Sequence, residues 1–154
     1  MQRLRPGRDQ GFSLVELMVA MMLFGIIVAI GVGPFRDFNR AQQHRGSTRK
    51  LVGVLRNAQV KASAEAATYR VDFNPDKRSV TVYRLDGAGW TEQLTHRATE
   101  KSIYFAEPEF ADGTSVYFYA RGSASKGKVF VRSDDSATQY VVSVEGLTAR
   151  VSYE

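Results

Sequence analysis

The feature that most constrains the fold is an apolar segment near the amino terminus. Residues 17–35 run for 19 residues without a charged side chain. As a helix the segment would extend roughly 28 Å at 1.5 Å per residue, and the hydrocarbon core of a bilayer is about 30 Å thick. We therefore predict that residues 12–35 form a transmembrane and assembly helix.

Glu16 is the only charged side chain within residues 12–35. An acidic side chain at mid-membrane costs about 2.5–3.5 kcal/mol on insertion scales, so we expect it to have a partner. Cleavage between Gly11 and Phe12 would create an amino group four residues before Glu16, and in a staggered stack of helices the carboxylate would meet the amine of a neighbouring subunit. A conventional secretory signal fits less well, because the apolar run is longer than a signal core and contains this charge.

The segment GFSLVEL at residues 11–17, followed by the apolar run, resembles the prepilin processing motif of type IV pilins and type II secretion pseudopilins. The resemblance implies that residues 1–11 are a cytoplasmic leader, that Gly11 is its last residue, that Phe12 is the N-methylated terminus, and that Glu16 is the assembly carboxylate. It also implies a membrane aspartic prepilin peptidase, other pilins, an inner-membrane assembly platform and membrane lipid as partners.

Gly31, Gly33 and Pro34 lie near the end of the apolar run. Proline removes a backbone hydrogen bond and glycine lowers rigidity, so we predict a kink or local unwinding there. Residues 36–67 continue as an amphipathic basic helix, in which Leu51, Leu55, Ala58 and Ala62 recur at helical spacing. This stripe is predicted to face a globular head.

Residues 68–154 change to a period of two, which predicts an antiparallel β head. The predicted strands cover residues 69–73, 80–82, 103–105, 116–119, 129–132, 140–144 and 147–153, with a turn at 74–77. Glu107-Pro108-Glu109 is predicted to be a surface turn. One long helix followed by about seven strands is an α+β fold and resembles the GspH/FimT group of minor pseudopilins and minor pilins.

The isoelectric point near 9.6 comes from the leader and the basic helix. The head itself carries eleven Lys and Arg against twelve Asp and Glu, which argues against a basic head that binds nucleic acid through its overall charge. The sequence has no cysteine, and His44 and His96 lie far apart in sequence, so we expect no metal site and no cofactor. Without a recognisable catalytic motif, we also expect no enzyme activity.

Residues 122–128 are predicted to be a hairpin loop with an electropositive tip formed by Arg121, Lys126, Lys128 and Arg132. Such a tip could contact DNA phosphates. The leading hypothesis is a structural subunit, a minor pilin or pseudopilin, in a single-pass inner-membrane position with its head outside the cytoplasm. After processing it would join a filament for protein secretion or pilus biogenesis. The alternative is a DNA-binding minor pilin that acts in DNA uptake.

Overall fold

The computed structural model describes residues 12–98, 101–134 and 136–154, and within these ranges it describes no side chain of residues 31–37 and 136–138. In these ranges one helix precedes eight strands. The elements are α1 Leu14–Ala64, β1 Tyr69–Phe73, β2 Ser79–Asp86, β3 Gly89–Arg97, β4 Ile103–Phe110, β5 Ser115–Phe118, β6 Gly127–Ser133, β7 Ser136–Val144 and β8 Val151–Tyr153. The predicted leader at residues 1–11 lies outside the described part of the chain.

The chain divides into two compact units, which meet in sequence between Asn39 and Arg40. In the amino-terminal unit the backbone is helical from Leu14 onward, including the positions of Gly31, Gly33 and Pro34. The kink at these three residues stays a prediction. No helix within the described residues is long and apolar enough to cross a membrane. The predicted membrane segment includes residues 31–35, whose side chains lie outside the description.

In the second unit the carboxyl-terminal half of α1 packs its apolar stripe into the core of the head. Leu51, Leu55, Ala58 and Ala62 are all buried, which confirms the predicted stripe. Their spacing places them on one side of the helix, where they can be covered together. They share one core with inward-facing residues of both sheets, among them Phe118.

The eight strands form two four-stranded antiparallel sheets. The first sheet has the order β3-β2-β1-β5 and the second β4-β6-β7-β8. The predicted hairpin is confirmed, because β1 pairs with β2 from Tyr69 opposite Arg84 to Phe73 opposite Val80. At its turn, the Asp76 carboxylate accepts hydrogen bonds from the backbone N–H groups of Arg78 and Ser79 at 2.8 and 2.9 Å. The head is therefore an α+β domain, as the sequence predicts.

Two local expectations are wrong, those for residues 107–109 and 122–128, and one strand was not predicted. Strand β3 was not predicted, because nearly all of its side chains are exposed and the apolar alternation of a half-buried strand is absent. The predicted turn at Glu107-Pro108-Glu109 is a bulge inside β4, where the register shifts after Ala106 and Glu107 has a φ of 50°. Proline is tolerated at a bulge because the ladder is already interrupted there.

The loop at residues 122–128 is not a hairpin loop. Strand β5 belongs to the first sheet and β6 to the second, so the connection crosses between sheets. A single bridge between Phe118 and Ala124 and the burial of Ala124 and Ser125 hold the crossing against the core. Glycine and serine are typical of both kinds of connection, so local composition does not distinguish a crossover from a hairpin.

Gly127 is where this crossing joins the second sheet, and it lies opposite Phe110 of β4. A Cβ atom at Gly127 would overlap the carbonyl oxygen of Glu109 and the ring and backbone of Phe110. The close approach of β4 and β6 therefore depends on the missing side chain.

We expect Gly127→Ala to lower the free energy of unfolding by about 1–3 kcal/mol, because the backbone of β4 must move. Gly46→Ala is the control. Its Cβ would meet no atom within 4 Å, and alanine in a helix is favoured over glycine by roughly 0.5–1 kcal/mol. Urea denaturation followed by the fluorescence of Trp90, the only tryptophan, measures both. Equal stability of the two variants would contradict the close approach.

Candidate assembly site

The amino-terminal end of α1 is built around Ser13 and Glu16. Ser13 precedes the helix, its carbonyl oxygen accepts the N–H of Leu17 at 3.1 Å, and Glu16 lies in the first turn. Ser-x-x-Glu at this position is the sequence of a capping box, and a carboxylate there also interacts favourably with the positive end of the helix dipole. Glu16 therefore has a local role in starting the helix in addition to its predicted role in assembly.

Phe12 lies just before the helix, which begins at Leu14. The predicted pairing of Glu16 with the Phe12 amine assumed four-residue spacing on one helix. Phe12 and Ser13 precede the first turn of the helix. The pairing of Glu16 with an amine at Phe12 stays a prediction.

The described part of the apolar segment exposes its large side chains on all sides. The exposed apolar residues are Phe12, Leu14, Val15, Leu17, Met18, Val19, Met21, Met22, Leu23, Phe24, Ile26, Ile27, Val28 and Ile30. A helix that is apolar all round requires an apolar environment on every side. Lipid chains or the helices of other subunits can supply it.

Three arginines of the second half of α1 bind the second sheet. Arg45 and Arg49 donate through Nε to the hydroxyls of Tyr140 and Tyr153 at 3.2 and 3.3 Å. Arg56 donates to the carbonyl oxygen of Val151 at 3.0 Å. These arginines attach the helix to β7 and β8, a role that their spacing in the sequence does not reveal.

His44 is a further helix residue whose role the sequence did not show. It is buried, its Nε2 donates to the carbonyl oxygen of Val131 at 3.1 Å, and its ring meets the ring of Tyr140 edge-on at 4.9 Å between centroids. The carbonyl can only accept, so Nε2 carries the proton. No group of three or more His, Cys, Asp or Glu side chains suited to a metal ion occurs among the described residues.

The four residues of the candidate DNA contact do not form one unpaired basic tip. Arg132 bonds Glu107 at 2.8 Å and Lys128 pairs with Glu109 at 3.6 Å. Both cations also flank the ring of Phe130, at 5.2 and 5.4 Å from its centroid. On β6, Lys128 lies opposite Glu109 of β4 and Arg132 lies opposite Tyr104. The other two candidates, Arg121 and Lys126, are exposed residues of the crossover. Paired acids weaken the attraction of this surface for phosphate.

Where α1 leads into β1, a buried tyrosine is bonded to an acid. The Tyr69 hydroxyl donates to the Glu65 carboxylate at 2.8 Å, and the same carboxylate meets Arg84 at 3.0 Å. Burial of the phenol, followed by the hydrogen bond to Glu65 and the charge of Glu65, raises the pKa of Tyr69 to about 12. The neutral phenol is therefore part of the connection between the helix and the first sheet.

Known proteins resemble this chain both in its amino-terminal segment and over most of its length. The prokaryotic N-terminal methylation motif matches residues 7–32. The type IV major fimbrial protein FimA of Dichelobacter nodosus is 25% identical over 114 residues, which cover 70% of this chain and 71% of that protein. Both similarities are to pilins or to their processing motif.

Solved structures share the fold. The minor pseudopilin EpsH from the type 2 secretion system of Vibrio cholerae superposes with a TM-score of 0.59 at 12% identity, over 73% of this chain and 96% of EpsH. The type IV minor pilin FimU of Pseudomonas aeruginosa superposes with a TM-score of 0.60 at 12% identity, over 76% of this chain and 92% of FimU. The chain thus has a pilin-like fold behind an N-terminal methylation motif.

The bond between Tyr69 and Glu65 generates a prediction about alkaline stability. A phenol whose pKa is raised by folding loses a proton more easily when unfolded, so stability is complete below pH 10 and falls as pH rises towards 12. A shift of this size corresponds to a loss of about 2–3 kcal/mol.

Comparison of the wild type with Tyr69→Phe isolates this group from the other tyrosines. The variant should lose about 1 kcal/mol at neutral pH through the missing hydrogen bond, and it should decline less steeply above pH 10. Urea unfolding at a series of pH values measures both slopes. Parallel curves above pH 10 would show that Tyr69 is not the titrating group.

Proposed function

We propose that this chain is a structural subunit of a type IV pilus or a type II secretion pseudopilus, and more narrowly a minor pilin or minor pseudopilin. The observation that carries the proposal is the start of α1. The start of this helix is apolar on every side and has one carboxylate in its first turn. The second unit of the same chain is a folded head with two sheets. Such a helix suits lateral packing among like helices.

The proposal includes processing at the amino terminus. Cleavage after Gly11 by a prepilin peptidase would leave Phe12 as a methylated terminus, ahead of the first helical turn. The new amine would then carry a positive charge at the same level as the carboxylates of neighbouring subunits. A charge pair in an apolar environment is strongly position-dependent, because either charge left unpaired is costly. Pairing would therefore fix the axial position of each subunit.

The same proposal gives the protein a location and partners. Before assembly, residues 12–35 would hold it in the inner membrane as a single-pass protein with the head outside the cytoplasm. Assembly would require other pilins and an inner-membrane platform. The matching motif at residues 7–32 and the exposed apolar side chains support this placement.

The role is structural and not catalytic. Proteins similar to this chain are pilins and pseudopilins. The narrower assignment to a minor subunit is supported by the two-sheet head, whose fold is shared with a minor pseudopilin and a minor pilin. DNA binding gains no comparable support, because Lys128 and Arg132 are paired with acids.

The test uses Glu16→Ala in cells that assemble the filament. We expect the variant to be inserted and cut normally, so mass spectrometry of membrane-extracted protein should find a methylated Phe12 in both variant and wild type. Filaments sheared from the cells should contain the wild type and lack the variant, because an unpaired amine remains buried.

Glu145→Ala is the control, since it removes an exposed carboxylate of the head. It should enter filaments at the wild-type level. An intact Met1 in the wild type would contradict processing, and normal incorporation of Glu16→Ala would contradict the assembly role of the carboxylate.

A further inference from the structure

Strand β3 is an exposed edge of the first sheet. It pairs with β2 on one side, and no described strand lies on its other side. It is nine residues long and most of its side chains are exposed. Long exposed edges are usually shortened, covered or blocked by proline, because their free backbone groups invite pairing with another strand. Along β3 the protection is limited to a bulge at Gln93 and the charged side chains of Glu92 and Arg97.

Beyond the bulge, the edge presents free backbone groups in a regular order. The N–H of Ala98 donates to the carbonyl oxygen of Arg78 at 2.7 Å, which continues the ladder with β2. Successive residues of an antiparallel strand point their backbone groups to opposite sides. The N–H and C=O groups of Arg97 and Thr95 therefore point away from β2, and both residues are exposed.

A groove runs between this edge and the second half of α1. The helix covers β2 but leaves β3 partly uncovered. Val82 on β2 is 6% exposed, whereas Leu94, directly opposite it on β3, is 54% exposed. The groove has a volume of about 480 Å³. Its apolar surface comes from Val54 and Leu94, and a narrow extension reaches Ala58.

The rim of the groove is basic. Lys50 and Lys61 border it from the helix, and His96 borders it from β3. Burial, followed by the nearby charge of Lys50, lowers the pKa of His96, so the exposed Lys61 supplies the positive charge that a partner can reach. No acidic side chain lines the groove among the described residues.

We propose that β3 and this groove bind an extended, acidic segment of a partner protein, which adds as a strand to the free edge. Backbone groups of the segment would pair with Thr95 and Arg97, as in other cases of strand addition. Side chains two residues apart share one face of a strand. On the face toward the helix, an apolar side chain would lie on Leu94 and Val54, and a carboxylate two residues away would lie beside Lys61. This interaction goes beyond the proposed role in the filament and does not depend on it.

A protein segment fits this surface better than nucleic acid does. The free backbone groups form a ladder that a peptide can complete, and the groove between them and the helix is apolar. Single strands of nucleic acid bind by stacking on exposed aromatic rings. The exposed Trp90 instead packs with Tyr117 and Arg70 on the opposite face of the sheet.

The test uses the full chain in detergent micelles and a fluorescein-labelled heptapeptide of the sequence Thr-Glu-Thr-Val-Thr-Glu-Thr, whose glutamates and valine share one face of a strand. We expect saturable binding by fluorescence anisotropy, and slower hydrogen exchange at the amides of Thr95 and Arg97. The same heptapeptide with lysine in place of both glutamates should bind at least about tenfold more weakly, because like charges then meet at the rim.

Two substitutions locate the site, and each has a matched control. Leu94→Glu and Lys61→Glu should weaken binding of the acidic peptide by about tenfold or more. Leu147→Glu changes another leucine, 93% exposed, between β7 and β8, and Lys101→Glu changes another exposed lysine. Both controls should bind like the wild type. Lys61→Glu should in turn improve binding of the lysine peptide, which a merely unfolded variant cannot do.

Other occupants give different results. Self-association of the peptide-free chain that is lost in Leu94→Glu would assign the groove to a second copy and overturn the proposal. Displacement of the acidic peptide by duplex DNA at lower concentration than by unlabelled peptide would assign it to nucleic acid. Equal binding by Leu94→Glu, Lys61→Glu and their controls, or no change in exchange along β3, would also overturn it.

Discussion

The rest of the structure depends on one constraint: a single helix carries two different apolar surfaces. From Leu14 to Ile30 the apolar side chains surround the helix and stay exposed. From Leu51 to Ala62 they form a stripe that is fully buried in the head. The first surface needs an apolar environment from outside the chain, and the second finds it in the two sheets. The same element therefore supplies both the proposed assembly surface and a large part of the head's core.

Polar contacts orient the helix relative to the two sheets against which its apolar stripe packs. Burial of apolar area is non-directional, so the stripe alone does not fix the rotation of the helix against the sheets. Arg45, Arg49 and Arg56 reach acceptors on β7 and β8, while Glu65 bonds Tyr69 at the start of the first sheet. Each sheet thus has its own polar attachment to the helix. Several of the cations that raise the isoelectric point therefore bind groups within the molecule. For this reason the overall charge is a poor guide to the partners of the protein.

The predictable parts of this fold are those in which local pattern and burial agree. The stripe at Leu51 and Leu55 and the hairpin of β1 and β2 follow from spacing alone, because each buries one regular face. The partners of the arginines do not, since Arg45 and Tyr140 are 95 residues apart. The sequence predicts a hairpin before Gly127, whereas the chain crosses there to the other sheet. Turn residues indicate that the chain turns, but they do not indicate which sheet it enters next. At the amino terminus the motif GFSLVEL is recognisable because it is contiguous in sequence, and the N-terminal methylation motif matches residues 7–32 there.

Strand β3 shows why failures of prediction carry information. Its residues lack alternation because its inner-facing Leu94 is left partly uncovered and its outer-facing side chains meet solvent. A segment without a buried face has no burial energy of its own to hold it as a strand, so β3 is held largely by its hydrogen bonds to β2. Selection for stability alone would cover Leu94 or shorten the edge. A segment that lacks the pattern of its secondary structure, without a gain in stability, is expected to have a functional role. At β3 the lack of a buried face leaves free backbone groups beside an apolar groove with a basic rim. A strand added at this edge would pair the free backbone groups of β3, and an apolar side chain of that strand would reduce the exposure of Leu94.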